Sequence, residues 1–479
     1  MVRLESLDLV DVKNTEEGSI VFRDLPSGGS ITGIYGQNGS GKTSVITALQ
    51  CIRYLMSGWP LPLECGTGLV RQGSDSASIV AVFSTDLGEV TYGLHLQPTE
   101  DGKTQVSRET IELRASKNEG NGKGRRQTLL DHAVSEGELG LLDSTMSPAN
   151  KWGSLKSVRK AEARFRQEET LSWSQYRSFV FSHSFMDTLT AIDGEISKND
   201  VLPKIKMAAR DMNRQLIDVL KILSQYARLN MRVMTTREGA SVAFGYVPIE
   251  HGSNFDVLDI GRPVIVPEDL RLTIEQMVKQ SNIVLPTVVP NLQLECDMQE
   301  AVTEDKKPGV RVFLKSVRSV GDKEVHIPFW AESEGVKRIV GMLSLLTRMF
   351  NEPDACIAID EIDAGVFEIL LGNILRVLAE RGRGQLIFTA HNLRVLEVLP
   401  SKAIVFSTSN AKNRFLSIKG VRDTSNLRDM YIRSVNINDQ PEELAPRISP
   451  SRVAVAFNKA GRVAEMTVAP TVKEPEHAQ

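Results

Sequence analysis

GQNGSGKT, residues 36 to 43, matches the pattern GxxxxGK followed by Ser or Thr at every fixed position. A β-branched run that ends in glycine, GSITGIYG, precedes it, and KTSVITALQCIRYLM follows with helical periodicity. In such a strand–loop–helix context, glycines let backbone N–H groups turn inward around phosphates, and the helix adds the positive end of its dipole. The stretch therefore predicts a nucleotide site on an α/β fold.

The residues of this loop have individual predicted roles. Lys42 is expected to reach the β- and γ-phosphates of ATP as a catalytic residue, and the hydroxyl of Thr43 to bind Mg²⁺. ATP and Mg²⁺ are thus the predicted ligands. The residues predicted to contact the nucleotide here are Gly36, Gln37, Asn38, Gly39, Ser40, Gly41, Lys42, Thr43 and Ser44.

CIAIDE, residues 356 to 361, ends a short apolar run with two carboxylates. A phosphate-binding loop needs a carboxylate elsewhere in the chain to hold Mg²⁺, and Asp360 suits that role. Glu361, one residue later, suits a general base that polarises the attacking water. An apolar run that ends in two acids is common by itself, but together with the loop it predicts the metal-binding and catalytic end of one site.

The next buried run, QLIFTA, leads into FTAHN and places His391 at the carboxyl end of a predicted strand. Open α/β sheets gather their ligands at that edge. His391 follows Asp360 by 31 residues, about one strand–helix–strand unit, so we expect His391 to be a catalytic residue of the same site. Asp363, two residues after the predicted base, is a further candidate.

SEGVKRIVGMLSLL, residues 333 to 346, has enough apolar residues to enter a core but begins with polar ones. Helix capping by Ser333, with a solvated first turn, explains this start. A functional interpretation uses the same hydroxyl and the same N-terminal amides to contact a phosphate. The two interpretations are compatible.

GQNGSGKT, SEGVKR, CIAIDEID and FTAHN, in this order, resemble the motifs of ABC-type ATPases, especially the SMC, RecF and OLD-like branch. The resemblance implies that two ATP-binding heads dimerise face to face. Each ATP would then lie between the phosphate loop of one chain and the signature motif of the other.

The resemblance also implies roles for single residues in that arrangement. Ser333 would contact the ATP of the other copy, and Gly335 would let the helix end approach its γ-phosphate. Lys337 or Arg338 would add positive charge there. Further implied roles are the D-loop for Asp363 and the switch histidine for His391.

The sequence departs from the family pattern at several points. The signature reads Ser-Glu-Gly, unlike the motif of transporters, which favours the RecF and OLD side. The Q-loop falls in FVFSHSFMD, with His183 or Ser184 as candidates. Because 318 residues separate Lys42 from Asp360, a large insertion lies between the two lobes, and its lack of sustained heptads argues against a full SMC-type arm.

The predicted fold class is therefore α/β: a P-loop NTPase of the ABC-type head, with an antiparallel β lobe and a helical insertion. Alternation from Ile79 to Leu113 predicts the antiparallel sheet, and the patterns at 201–230 and 267–281 predict helices. The predicted regions are an N-terminal ATPase lobe at 1–113, an inserted helical and β region at 114–285, a C-terminal ATPase lobe at 286–425, and an extension with a disordered tail at 426–479.

A basic segment, KWGSLKSVRKAEARFRQEE, is predicted to form one helix within the insertion. A solvated helical face explains its charges, and a nucleic-acid or partner surface is the alternative. The basic residues that it carries include Lys156, Arg159, Lys160, Arg164 and Arg166.

The composition is that of an ordinary globular chain, with 479 residues, 41% hydrophobic and 24% charged. A formal net charge of −3 excludes an overall positive charge that would attract nucleic acid, although local basic patches could still bind it. Four cysteines without ligand spacing predict free thiols in a reducing compartment. The acids near the N-terminus and the lack of long apolar runs predict a cytoplasmic protein without a membrane segment.

Three functions are compatible with these features. The leading hypothesis is an ATPase that serves as sensor or scaffold subunit of an anti-phage defence complex, with a separately encoded effector such as a nuclease. Acids after His391 are scattered, so no nuclease site is expected within this chain. The alternatives are a RecF-like repair ATPase that binds DNA directly, and a nucleotide-gated oligomeric scaffold with little turnover.

Overall fold

The computed structural model describes most of the chain between residues 1 and 417 and short pieces beyond it. The described residues are 1–26, 28–115, 124–137, 141–158, 161–197, 204–235, 246–251, 254–259, 263–321, 323–417, 427–429, 451, 454–457 and 459–460. The predicted disordered tail, Arg159, Lys160 and the region boundary at 425 lie outside them. All strand and helix statements below concern the described residues.

The strands, numbered in chain order, form four sheets. They are β1 (Arg3–Val12), β2 (Thr15–Val21), β3 (Ser30–Tyr35), β4 (Ala77–Thr85), β5 (Gly88–Pro98), β6 (Thr104–Ala115), β7 (Gln127–Glu136), β8 (Leu142–Ser147), β9 (Met231–Met234), β10 (Tyr246–His251), β11 (Asn254–Asp259), β12 (Val264–Pro267), β13 (Leu292–Val302), β14 (Pro308–Val320), β15 (Lys323–Pro328), β16 (Cys356–Ile359), β17 (Gln385–Ala390), β18 (Ile404–Ser407) and β19 (Phe415–Ser417).

The helices of the described residues are also numbered in chain order. They are α1 (Lys42–Met56), α2 (Leu63–Gly66), α3 (Ala149–Lys156), α4 (Ala161–Ser174), α5 (His183–Ser197), α6 (Lys204–Gln225), α7 (Arg271–Val288), α8 (Glu334–Asn351), α9 (Glu368–Arg381) and α10 (Arg394–Val398).

A six-stranded sheet, in the order β19-β18-β3-β17-β16-β9, lies at the centre of the fold. All its strands except the edge strand β19 run parallel, and β3, β16 and β17 are buried on both faces, as their continuous apolar runs predict. Successive side chains enter opposite cores: Ile387 joins the one around α1, whereas Leu386 and Phe388 join the one around α8. The carboxyl ends of β3, β16 and β17 therefore meet at one edge.

A seven-stranded antiparallel sheet, in the order β2-β1-β4-β5-β6-β7-β8, shares the core around α1. Its strands alternate: Ile79, Ala81 and Phe83 of β4 are fully buried and the residues between them are not. A smaller antiparallel sheet consists of β12, β14, β13 and β15, and β10 pairs with β11. The predicted α/β class with an antiparallel β lobe is confirmed.

Helices α3 to α6 lie in the chain between β8 and β9 and supply the predicted helical insertion. The helix expected at 201–230 is confirmed as α6, followed by a π-helical turn, and the one expected at 267–281 as α7. The basic segment differs from its prediction, because it forms two helices, α3 and α4. A turn at Ser157 and Val158 separates them, so their charges do not share one helical face.

Two predicted region boundaries fall inside elements. Residue 113 lies within β6, and the antiparallel sheet continues through β7 to β8, because β6 pairs with β7 over Arg108 to Leu113. Residue 285 lies within α7. From the inserted region, β9 returns to the central sheet and pairs with β16. The division into four regions stays a prediction.

None of the helices in the described residues combines the length and apolarity that a membrane crossing requires.

Candidate nucleotide site

The phosphate loop connects the carboxyl end of β3 to the first residue of α1. Gly41, at the N-cap of α1, has a φ of 90°, a left-handed conformation that glycine adopts without steric cost. Gly36 must lack a side chain because a Cβ would lie 2.0 Å from Oγ of Ser407. Asn38, Gly39 and Thr43 are exposed, whereas Ser40, Lys42 and Ser44 are buried. The loop therefore has an open outer side and a fixed inner one.

Lys42 lies inside this loop and has little solvent exposure. Its Nζ donates to the carbonyl oxygens of Gly36 at 2.8 Å and Gln37 at 2.7 Å. Burial lowers the pKa of Lys42, and the negative charges of Asp360, Glu361 and Asp363 act in the opposite direction. The loop lysine and the three carboxylates thus share one electrostatic environment.

Residues far away in the sequence support the loop. The hydroxyls of Ser40 and Ser407 hydrogen-bond at 2.5 Å, and Ser44 donates to Oδ1 of Asn14 at 3.1 Å. Asn14 also donates to the Gly39 carbonyl, and its own carbonyl accepts from Arg414. Sequence reasoning missed Asn14, Ser407 and Arg414. No local pattern marks them, because they reach the loop only through packing of β1, β2, β18 and β19.

Asp360 and Glu361 follow β16 at the same edge and differ in environment. Asp360 is buried, and Oδ1 accepts a hydrogen bond from the hydroxyl of Thr389 at 2.5 Å. The backbone N–H of Glu361 donates to that hydroxyl at 2.7 Å. Glu361 has a φ of 49°, and its side chain is partly exposed. One threonine of β17 therefore orients the metal-ligand candidate and the turn that carries the base candidate.

Asp363 and His391 are brought together with Glu361. Oδ2 of Asp363 accepts from the backbone N–H groups of His391 at 2.8 Å and Asn392 at 2.6 Å. Nε2 of His391 lies 3.8 Å from Oε1 of Glu361. Asp363 thus fixes the turn that follows β17, and His391 stands at the rim of the site beside the predicted base.

Ser333 caps α8 and is exposed, with Oγ accepting from the N–H of Val336 at 3.4 Å. Gly335 packs against its own chain, because a Cβ there would lie 2.2 Å from the carbonyl oxygen of Gly365. Arg338 is buried and donates to backbone carbonyls of Asp360 and Glu361. Lys337 or Arg338 is expected from the motif resemblance to add positive charge near the ATP of a second copy. Arg338 is instead directed into its own chain.

The Q-loop candidates lie away from this site. Gly58, just past the C-terminal end of α1, packs against the carbonyl of Phe181, two residues before His183. The phosphate loop precedes the opposite end of α1, about 22 Å away for a 15-residue helix. His183 is largely exposed and pairs with Asp187, and Ser184 follows it in α5. The structure does not bring them to the phosphate loop.

Comparisons with known proteins found similar solved structures only. No protein-family model and no curated protein match the chain. An Smc head domain from Pyrococcus furiosus, with an extended coiled coil and bound to the C-terminal domain of ScpA, is 13% identical with a TM-score of 0.41, and the match covers 92% of this chain and 100% of that one.

Two further structures are similar at the same level. An SmcHead bound to the C-winged helix domain of ScpA is 15% identical, with a TM-score of 0.41 and coverage of 87% of this chain and 98% of that one. The SMC head domain from Thermotoga maritima is 13% identical, with a TM-score of 0.36 and coverage of 87% and 99%. Such values describe a likeness in shape and assign no activity or partner.

Proposed function

We propose that this chain binds ATP with Mg²⁺ and hydrolyses it in an ABC-type head. One observation carries the proposal: the phosphate loop, Asp360 with Glu361, and His391 follow three adjacent parallel strands, β3, β16 and β17, at the same edge of the sheet. In open α/β sheets this edge is where ligands bind. The influence of three carboxylates on the pKa of Lys42 supports the same arrangement.

The residues present suit ATP and Mg²⁺ as ligands. Glycines at the turn of the loop leave its backbone N–H groups available to phosphate oxygens, and Lys42 can exchange two carbonyl partners for an anion. Thr43 and Asp360 would hold Mg²⁺, which supplies positive charge to the β- and γ-phosphates. No group of three or more His, Cys, Asp or Glu side chains in the described part of the chain could hold a metal alone. Mg²⁺ typically needs only one or two carboxylates beside phosphate oxygens.

Glu361 is the proposed general base. Its carboxylate is partly exposed at the sheet edge, where it can accept a proton from the attacking water. His391, 3.8 Å away, is proposed to orient this carboxylate or the γ-phosphate, and Asp363 to hold the His391 turn in place. Buried Asp360 is unsuited to the base role because its Oδ1 is already engaged by Thr389.

Phosphate release by three variants tests this proposal. Glu361→Gln should reduce turnover by about a hundredfold or more, while ATP still binds and the ATP-bound dimer accumulates. Lys42→Ala should also abolish turnover but, unlike Glu361→Gln, should weaken ATP binding by about tenfold or more. Glu380→Gln, an exposed glutamate on α9, is the matched control and should leave both unchanged. Negligible turnover in the wild type, with ATP stabilising the assembly and Glu361→Gln changing little, would favour the nucleotide-gated scaffold.

The biological setting is a finer proposal, supported by the motif resemblance. We propose a sensor or scaffold subunit of an anti-phage defence complex with a separately encoded effector. Co-purification of this chain with proteins encoded by neighbouring genes, with and without ATP, tests it. Turnover stimulated by DNA at low salt, with no such partner captured, would favour the RecF-like alternative.

A further inference from the structure

Arg338 is one of the largest fully buried side chains among the described residues. It lies in the second turn of α8, five residues after Ser333. Burial lowers the pKa of this guanidinium, and the nearby charges of Glu361, Asp363 and Asp360 act against that shift. Burying a cation costs free energy unless hydrogen bonds and opposite charges compensate. The hydrogen-bond partners of Arg338 must therefore compensate for its burial.

Those partners are two consecutive backbone carbonyls at the acidic strand end. Nη2 of Arg338 donates to the carbonyl oxygens of Asp360 at 3.0 Å and Glu361 at 2.5 Å. In an extended strand, successive peptide groups point in opposite directions, so one nitrogen cannot reach both. Here the chain turns, because Glu361 adopts a φ of 49°. A left-handed conformation is unfavourable for a non-glycine residue, and the guanidinium stabilises it.

We infer that Arg338 is a positioning residue that holds the backbone of Asp360 and Glu361 so that the Glu361 carboxylate faces the nucleotide. The inference rests on the proposed function, because it assigns Arg338 to the geometry of the proposed base. Arg338 acts through the peptide groups and not by touching ATP. It also links the start of α8, which carries Ser333, directly to the backbone of the proposed base, Glu361.

The first turn of α8 is fixed from two other directions. Glu332, directly before Ser333, accepts hydrogen bonds from Ser316 and Arg318 of β14. Gly335 packs on the carbonyl of Gly365, in the turn that follows Glu361. A ligand that displaces Ser333 must therefore also shift the contacts of Glu332 and Gly335. Arg338, on the same helix, would transmit that shift to the backbone of Glu361.

Arg338→Ala, Arg338→Met and Arg338→Lys test the inference, with ATP affinity and phosphate release measured separately. Loss of the two carbonyl contacts should reduce kcat by about a hundredfold, as expected for a misplaced catalytic group, and change the ATP dissociation constant by no more than about threefold. Guanidinium ion should restore part of the kcat of Arg338→Ala, because it can occupy the vacated space and donate to the same carbonyls. Arg338→Lys keeps the charge and should retain more activity than Arg338→Met.

Arg348→Met is the matched control. Arg348 lies on the same helix, donates to the Leu229 carbonyl and pairs with Glu352, away from the acidic turn. It should cost stability but leave kcat within about threefold of wild type.

The outcomes separate the inference from the proposed function. Full kcat in Arg338→Met and Arg338→Ala overturns the inference alone. Parallel loss of ATP affinity and thermal stability, without rescue by guanidinium, also overturns it and makes Arg338 a structural residue. Absence of phosphate release by the wild-type protein overturns both. If Arg338→Met and Arg338→Ala do not fold, Arg338→Lys decides: the inference expects kcat below that of the wild type at unchanged ATP affinity, because the shorter ammonium lacks the planar guanidinium geometry, and wild-type kcat in that variant overturns it.

Discussion

Glu332 shows how one buried carboxylate supports the site from outside. It is 9% exposed and accepts from Oγ of Ser316 at 2.6 Å and from Nε and Nη2 of Arg318 at 3.0 and 2.7 Å. Burial pushes the pKa of Glu332 upward, but the hydrogen bonds from Arg318 and Ser316 outweigh it and hold the pKa below its usual value. The ionised form is therefore the one that stabilises the start of α8.

Glu332→Gln should lower the free energy of unfolding at neutral pH by about 1.5–3 kcal/mol, the range for hydrogen bonds to a charged group. Because the folded pKa is depressed, this stabilisation is present above the unfolded pKa of about 4.3 and is lost as pH falls through the folded pKa. Urea unfolding from pH 7 to pH 4 measures it. Glu334→Gln, an exposed neighbour, is the control and should show no such difference. A pH-independent effect would contradict the assigned charge state.

At the scale of elements, the first turn of α8 is pressed against the turn that follows β16. Gly335 and Gly365 approach so closely that a single added carbon at Gly335 would lie 2.2 Å from a backbone oxygen. A backbone atom cannot move aside as a flexible side chain can. Glycine at this position is therefore required by the contact between two elements of one chain, before any ligand is considered.

Gly335→Ala should destabilise the protein by about 1–3 kcal/mol, the cost of overpacking a tight contact. Gly194→Ala is the matched control, because Gly194 lies within α5 and an added Cβ would meet nothing within 4 Å. That substitution should stabilise by about 0.5–1 kcal/mol through helix propensity. Chemical unfolding of both variants provides the comparison. Equal responses would mean that the Gly335–Gly365 contact is not tight in solution.

At the scale of the molecule, one copy presents two separate parts of the proposed reaction. The phosphate loop and carboxylates lie at the sheet edge, while Ser333 is exposed at the start of α8, where its hydroxyl caps the helix. We propose that a second copy supplies Ser333 to the ATP of the first. A two-fold arrangement would then build two sites from two chains.

Mixing inactive variants tests this arrangement. Lys42→Ala and Ser333→Arg should each abolish turnover, with Ser333→Arg sparing ATP binding. Their mixture should recover about a quarter of wild-type turnover, because random pairing makes half of the dimers mixed and each mixed dimer keeps one intact site of two. Lys42→Ala mixed with Glu361→Gln is the control and should recover nothing, since both residues serve the same chain's site. No recovery in the first mixture would place Ser333 outside the partner's site.

Local patterns were enough to predict the class of fold and the main residues of the candidate site. Three short motifs carried this prediction: GQNGSGKT with its flanking strand and helix, CIAIDE, and FTAHN. The conformation of each motif depends mainly on residues that are close in the chain, so the sequence alone indicates it. Parallel strands then bring their carboxyl ends together, so Lys42, Asp360 and His391 could be assigned to one edge without a structure.

Packing between distant segments determined the rest. The hydrogen bond from Arg414 to the Asn14 carbonyl joins residues that are 400 positions apart. The hydroxyl of Thr389 connects β17 to the end of β16. The sequence predicts Arg338 to be an exposed cation. In the structure it is buried against two carbonyls, because the start of α8 packs on the turn at Asp360 and Glu361. Side-chain direction depends on the tertiary surroundings, and a charge pattern along a helix does not contain that information.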